Sequence, residues 1–288
     1  MLVLIMLVVI TGCEKDIDFK LNDAEPKLVV EATIENNQAP IVILTRSVGF
    51  FSNLSLPVLA QNFVNNADVY VSNGTLTHKL KEYTVPLAPG INFFYYSIDS
   101  SDLASAFLGE LNTGYSLKVI TGGEEYTAYT TIPGYQKQID SLWWKPVPDA
   151  NDTSNVFVMV RSTDAPGFGD YVRYFTSTND GPFLPGDRSV FDDLFIDGTT
   201  YDLQVEPGID RNGVEPDNDF FQRGDTVTFK LSGIDKPTFD FWRTWEFSIE
   251  SIGNPFSTPV KVIGNISNGA LGYFGGYASQ YHTLIIPE

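Results

Sequence analysis

Short segments in which apolar and polar residues alternate recur along most of the chain, and they constrain its fold more than any other feature. Lys27–Ile34 is the first such segment, and its period of two residues is that of a strand with one buried face. Asn73-Gly74 and Gly122-Gly123 each separate two such segments, and both dipeptides readily adopt the positive φ angles of tight hairpin turns. The pattern predicts a mainly β protein with an immunoglobulin-like or transthyretin-like β-sandwich.

Two folded regions are expected, with a boundary at Ile132-Pro133-Gly134. Residues 27–134 are predicted to form the sandwich domain, and residues 135–288 a second β-rich domain whose first residues, 135–140, serve as a linker. The strand candidates of the first region are 27–34, 41–46, 67–71, 75–80, 93–98, 115–121 and 125–131. Those of the second region are 156–162, 171–178, 201–205, 226–232, 260–263 and 281–286. Residues 50–66 follow neither period and are expected to be a long loop or one short helix.

One amphipathic helix is predicted near residues 237–252. Its apolar stripe has helical spacing and consists of Phe241, Trp242, Trp245, Ile249 and Ile252. An aspartate before the segment is suited to cap its start, and a glycine follows its end. We expect the helix to pack across a sheet with its tryptophans in the core; the alternative is that Trp242 or Trp245 stacks on a ligand.

The first thirteen residues resemble a lipoprotein signal peptide. Leu2–Ile10 is an unbroken apolar run, too short for the roughly 20 apolar residues that span a bilayer. Ile10-Thr11-Gly12-Cys13 follows, and this is the pattern of a bacterial lipobox. From this pattern we expect Cys13, the only cysteine in the chain, to carry the lipid and to become the first residue of the mature protein. The alternative is a buried strand with one reduced cysteine.

Residues 14–26 are polar and acidic and have no sustained period, so they are expected to be a tether between lipid and folded domain. Glu14, Asp16 and Asp18 also resemble the surface-export signal of Bacteroidota-type lipoproteins. That resemblance implies an outer-membrane protein that faces the cell surface, with the periplasmic face as the alternative.

The charge of the chain excludes some partners. Its formal net charge of −18 opposes binding to nucleic acid, because phosphate backbones require lysine and arginine for neutralisation. The same charge opposes association of the folded part with anionic lipid surfaces. Membrane attachment is therefore expected through acyl chains alone.

Few residues suggest catalysis. The two histidines, His78 and His282, lie far apart and outside any HExxH pattern, and His78 is expected to be solvated on an exposed strand. The chain has no Gly-x-Ser-x-Gly motif and no phosphate-binding loop. We therefore predict no catalytic residues, no cofactor and no firm metal site. Carboxylate pairs remain open, since 36 acidic residues guarantee chance neighbours.

Calcium is a separate hypothesis. The segment Asp210–Asp219 places many oxygen-bearing side chains in one loop, as a hard cation prefers, but its spacing departs from that of an EF-hand. A solvated acidic loop is the alternative. Asp187, Asp192 and Asp193 form a weaker candidate, in which pairing with Arg188 is an equal explanation.

Several short motifs together resemble an uncharacterised lipoprotein family of Bacteroidota, a domain of unknown function. The motifs are the lipobox, residues 28–34, 126–133, 139–142, 254–257, 265–266, 268–269 and 271–277. The resemblance implies an accessory role in uptake, because members are often encoded beside TonB-dependent outer-membrane receptors, and it supplies no catalytic residues. In the last motif, glycines are expected to allow close backbone approach while Tyr273, Phe274 and Tyr277 fill the core.

Two classes of function follow. The first is a non-enzymatic lipoprotein that binds a transporter or a ligand through its loops, as a component of a TonB-dependent uptake system. The alternative is a lipid-anchored glycan-binding protein or glycan hydrolase, with Trp143, Trp144 or tyrosines as stacking platforms. The ligand is not specified by either.

Overall fold

The computed structural model describes residues 25–49, 55–148, 153–211, 220–252, 258 and 260–288. Cys13 and most of the predicted tether lie outside these residues. The strands are β1 Leu28–Glu35, β2 Ile41–Arg46, β3 Asp68–Ser72, β4 Thr77–Lys79, β5 Lys81–Ala88, β6 Ile91–Ser97, β7 Thr113–Thr121, β8 Glu124–Ile132, β9 Lys137–Pro146, β10 Asn155–Asp164, β11 Tyr171–Thr178, β12 Leu184–Asp192, β13 Thr200–Val205, β14 Phe221–Gln222, β15 Thr226–Ile234 and β16 Leu271–Ile285. The helices are α1 Leu56–Gln61 and α2 Lys236–Glu250. Among the described residues, no helix has both the length and the apolar character that crossing a bilayer requires.

The protein is mainly β, as predicted, and its strands form one large sheet and two smaller ones. The large sheet has the order β12-β11-β15-β16-β1-β2-β6-β5. One smaller sheet has the order β4-β3-β7-β8, and the other joins β13, β10, β14 and β9. Both predicted hairpins are present: β3 pairs with β4 around Gly74, and β7 pairs with β8 across Gly122-Gly123, both with positive φ.

The two smaller sheets pack on the same face of the large sheet. The first core contains alternate residues of β1, including Val30 and Ile34, together with Phe274 of β16 and residues of β3, β7 and β8. The second core contains Phe229 of β15 and Val158 of β10. Cross-strand pairing of β15 with β16 places the residues of both cores on one side, so the layers form a sandwich.

The large sheet takes strands from both sides of the predicted domain boundary. β1 pairs in parallel with β16, the last strand, over the register Val29–Glu35 against Leu271–Tyr277. The two regions have separate cores but share this sheet. The division into two folding units at residue 134 therefore stays a prediction. The prediction of a linker at residues 135–140 is wrong, because residues 137–140 belong to β9.

The Gly-aromatic motif is part of β16, and its predicted role is confirmed. Tyr273, Phe274 and Tyr277 are buried. A Cβ on Gly276 would lie 2.5 Å from the carbonyl oxygen of Thr131, so only glycine permits this approach of β16 to β8. The predicted strand 281–286 is thus the end of a longer strand, and residues 260–263, expected to form a strand, have no regular secondary structure.

Helix α2 covers the opposite face of the large sheet. Asp235 caps it by accepting a hydrogen bond from the Thr238 amide at 3.1 Å. Its second carboxylate oxygen accepts from the hydroxyl of Thr130 and the amide of Thr131, both at 2.9 Å, and so connects the helix start to β8. Phe241 is buried as predicted, whereas Ile252 lies beyond the helix and is 78% exposed.

One charged residue of α2, Glu246, is buried, and the helical pattern did not predict its burial. Both carboxylate oxygens of Glu246 accept a hydrogen bond from the Ser189 amide at 3.2 Å, and Oε1 also accepts one from the Ser189 hydroxyl. Burial raises the pKa of Glu246, while the Ser189 hydrogen bonds and the charge of Arg173 act in the opposite direction.

The raised pKa predicts a pH-dependent contribution of Glu246 to stability. The folded state holds the proton more tightly than the unfolded state, so this contribution is present below the ordinary pKa of 4.5 and is lost as the pH rises through the folded value. We expect the difference in free energy of unfolding between wild type and Glu246→Gln to shift in favour of the variant as the pH rises above 4.5, and then to level off. Urea unfolding of both proteins from pH 4 to pH 8 measures this difference; parallel stability curves would contradict it.

Candidate functional site

Two loops meet at one end of the second core and form the most distinctive polar site among the described residues. Residues 165–170 connect β10 to β11, and residues 193–199 connect β12 to β13. β10 pairs with β13, and β11 pairs with β12, so the strand pairings bring both loops to the same end. We call them the paired loops.

A buried ion pair lies beneath the paired loops. Lys137 Nζ contacts a carboxylate oxygen of Asp164, and their side chains are 1% and 0% exposed. The other Asp164 oxygen accepts a hydrogen bond from the amide of Gly198 at 3.2 Å. The position follows from strand register, because Lys137 begins β9 opposite Asp164 at the end of β10. A buried pair of this kind tolerates the loss of neither partner.

Asp193 connects the two loops to each other. It is buried directly after β12, and its Oδ2 accepts hydrogen bonds from the amides of Gly169 at 2.8 Å and Asp170 at 3.1 Å. Asp197 makes a second connection by accepting from the amide of Gly167 at 2.6 Å. Side chains of one loop therefore hold the backbone of the other at two points.

Asp170 differs from its neighbours because no described residue donates a hydrogen bond to its carboxylate. Its residue is 4% exposed, and within the part of the chain that the structure describes its carboxylate accepts no hydrogen bond. Carboxylate oxygens of Asp164, Asp170 and Asp193 all lie within 4.8 Å of one another. Burial, followed by the charges of Asp164 and Asp193, raises the pKa of Asp170 to about 6.

Apolar side chains project from the outside of the same loops. Phe168 is 73% exposed, Leu194 62% and Phe195 97%. Phe168 lies between the two glycines whose amides bind the opposite loop, and Leu194 and Phe195 directly follow Asp193. We call these three residues the apolar tips. Large apolar side chains grouped at such exposure mark surfaces that contact a partner.

Asp193 is the only member of the aspartate cluster that the sequence singled out. Its predicted companions lie elsewhere: Asp192 pairs with Arg243, and Asp187 contacts Arg211. Arg188 pairs with Glu250. Asp164 and Asp170 were missed, although both flank the glycine-containing run of residues 165–169 that forms a tight loop. Residues 212–219 of the predicted calcium loop lie outside the described residues.

His78 is not solvated, contrary to expectation. It is 1% exposed; its Nδ1 lies 2.8 Å from the Ser105 hydroxyl, and its Nε2 accepts a hydrogen bond from the Asp99 amide at 2.9 Å. The prediction was wrong because the loop at residues 99–105 supplies a hydrogen-bond partner for each ring nitrogen, so burial of the ring leaves neither nitrogen unsatisfied. His78 therefore organises a loop.

The candidate stacking tryptophans are all half-buried. Trp144 packs against the second core and lies beneath the Arg223 guanidinium. The Trp143 ring is in contact with two cations, Lys145 of β9 and Arg161 of β10. Trp242 and Trp245 pack against the core under α2. Trp242 also donates a hydrogen bond to the Tyr277 hydroxyl at 2.9 Å.

A comparison with curated proteins finds no match for the chain. A family model described as a domain of unknown function, DUF4249, matches residues 14–283, which include every strand and helix described above except the last two residues of β16. The chain belongs to the DUF4249 family.

Proposed function

We propose that the protein is a lipid-anchored, non-enzymatic binding protein of the outer membrane, exposed at the cell surface, and that it acts as an accessory component of a TonB-dependent uptake system. The observation that carries the proposal is the set of apolar tips, which lie on loops that are joined by hydrogen bonds and rest on a buried ion pair. Exposed apolar side chains on loops that are held in position favour contact with a partner protein over chemistry on a small substrate.

Three further features support this function. The lipobox ending at Cys13 supplies the anchor, and the acidic residues 14–26 supply a tether and resemble a surface-export signal. The net charge of −18 opposes a role in nucleic-acid binding. His78, one of two histidines in the chain, has both ring nitrogens committed to structural hydrogen bonds.

The test is affinity purification of the tagged full chain from native envelopes in mild detergent. Wild type is expected to retain a TonB-dependent receptor in stoichiometric amount. Phe168→Ser/Phe195→Ser is expected to lose it, because both substitutions remove exposed apolar area and leave the aspartates in place. Phe247→Ser, a 53% exposed phenylalanine on α2, is the matched control and should retain the receptor.

The result would contradict the proposal if wild type purifies alone, or if the double variant and the control retain the receptor equally. Attachment is tested separately with Cys13→Ser, which should release the protein from the membrane fraction. Protease treatment of intact cells distinguishes the surface-exposed from the periplasmic face.

Glycan binding is the second candidate, and one observation favours it. Phe93, Tyr95 and Tyr83 form a continuous row across β6 and β5, with ring centroids 6.1 and 5.3 Å apart and nearly parallel planes. All three rings are half-buried, so each keeps an accessible part. Retention of a polysaccharide by the wild-type protein on a glycan array, without a co-purifying receptor, would favour this alternative.

A further inference from the structure

We propose that Asp164, Asp170 and Asp193 bind one divalent cation of the calcium class, which fastens the paired loops together. The proposal does not depend on the proposed function, although the site lies beneath the apolar tips.

The geometry of the three carboxylates fits a shared ion. Calcium lies about 2.3–2.6 Å from its oxygen ligands, so two ligands of one ion are separated by at most about 5 Å. One carboxylate oxygen from each aspartate falls within 4.8 Å of the other two. The donors are all oxygen, as a hard cation prefers, and no histidine or cysteine belongs to this cluster among the described residues.

Asp170 is the observation that points to a ligand. Its carboxylate is directed into the cluster, is buried in a residue that is 4% exposed, and receives no hydrogen bond from any described residue. Asp164 and Asp193 have structural partners, namely Lys137, Gly198 and the amides of the opposite loop. These contacts leave both oxygens of Asp170 and the Oδ1 of Asp193 available. No fully buried side-chain oxygen among the described residues lacks a hydrogen-bond partner, so the Asp170 oxygens keep a narrow contact with solvent, through which an ion could reach them. A carboxylate this far removed from water favours a cation or a proton beside it.

The local charge balance also fits a divalent ion. Three carboxylates are buried together, and among the described residues Lys137 is the one cation that forms an ion pair with them. Lys137 neutralises one negative charge, and a divalent cation would neutralise the other two. A site with that charge needs no further charged side chain, and backbone carbonyls or water would fill the remaining coordination positions.

The site joins segments that the chain separates widely. Asp164 ends β10, Asp170 precedes β11 and Asp193 follows β12, so one ion would crosslink both loops at their bases. The two glycine amides bound to Asp193 and Asp197 hold the loops in the same arrangement from the backbone side. The ion would thus set the position from which the apolar tips project.

The experiment is thermal unfolding of the full chain in detergent, with calcium chloride and with chelator. Calcium at ten times its dissociation constant is expected to raise the midpoint by about 3–6 °C, with saturation at one ion per chain by calorimetry. Asp170→Asn keeps the shape of the side chain, removes the charge and is expected to abolish both effects. Asp217→Asn/Asp219→Asn, which changes two other aspartates of the chain, is the control and should leave both effects intact.

Each outcome decides the proposal. The site is supported if Asp170→Asn loses the calcium-dependent rise in midpoint and the binding heat while the control variant retains both. The absence of any shift or heat in wild type overturns it, as does an undiminished response of Asp170→Asn, which would place the ion elsewhere. Asp170→Asn removes a like charge from the cluster, so it is expected to fold in chelator as wild type does. Asp170→Ser provides a second variant should the asparagine protein fail to fold.

Discussion

Replacing Gly272 with alanine is expected to destabilise the protein by about 2–5 kcal/mol, as the sum of two separate costs. Gly272 has a φ angle of +95°, in the region that disfavours residues with a Cβ. That Cβ would lie 1.9 Å from the carbonyl oxygen of Val30, on the neighbouring strand β1. Since Val30 is opposite Gly272 in the parallel ladder, relief of the clash requires movement of the ladder itself. Urea unfolding of the purified full chain gives the loss in free energy of unfolding.

Gly269 provides the matched control three residues earlier. Its φ angle is +70°, but a Cβ there would meet no atom within 4 Å. Gly269→Ala therefore incurs only the backbone cost, about 1–2 kcal/mol. Equal losses for the two variants would show that the close approach of β16 to β1 does not contribute.

Replacing Lys137 with methionine is expected to cost about 3–5 kcal/mol of unfolding free energy, because it leaves Asp164 charged and buried without its counter-ion. The side chains of the pair are 1% and 0% exposed, and two further buried carboxylates adjoin Asp164. The measurement is chemical unfolding in the presence of chelator, so that no added cation compensates for the lost ammonium.

An exposed ion pair on the adjacent strand is the control for this prediction. Arg161 contacts Asp202 at 2.7 Å, with side chains that are 51% and 38% exposed. Arg161→Met should change the stability little, because water screens both charges and solvates the remaining one. If Lys137→Met were as mild as Arg161→Met, burial of the Lys137–Asp164 pair would not be the source of its contribution.

The strand positions were largely predictable from the sequence. Ile41–Arg46 and Tyr171–Thr178 match the observed strands at both ends. In the first, apolar and polar residues alternate with the two faces of the strand, whereas the second is buried on both faces. The two glycine-containing turns and the start of α2 were predictable because their chemistry is local. The apolar stripe of the helix correctly predicted the burial of Phe241 but not that of Glu246, because a polarity pattern places a glutamate in solvent.

Four strands escaped prediction: β5, β9, β12 and the two-residue β14. The three longer ones do not follow an alternating pattern in the sequence. β5 is an edge strand that contains Pro86 and is exposed for most of its length. β9 begins with Lys137, which has the character of a linker residue and is buried only because Asp164 lies opposite. β12 begins with a Leu-Pro-Gly run, and its pairing with β11 shifts register at a bulge.

By itself, the sequence determined the β class, the hairpin turns and the capped helix, since each depends on neighbours within a few residues. The close packing of the closing glycine-aromatic strand was also predicted, although its contacts are with β1 and β8, far away in the sequence. Only the tertiary structure decided that β16 enters between β15 and β1 and that Asp164, Asp170 and Asp193 share one site. Nothing in the sequence connects these three aspartates, of which only Asp193 was a candidate ligand. Pairing of β10 with β13 and of β11 with β12 brings them together, and burial changes what their charges require, because a carboxylate removed from water must find a compensating partner.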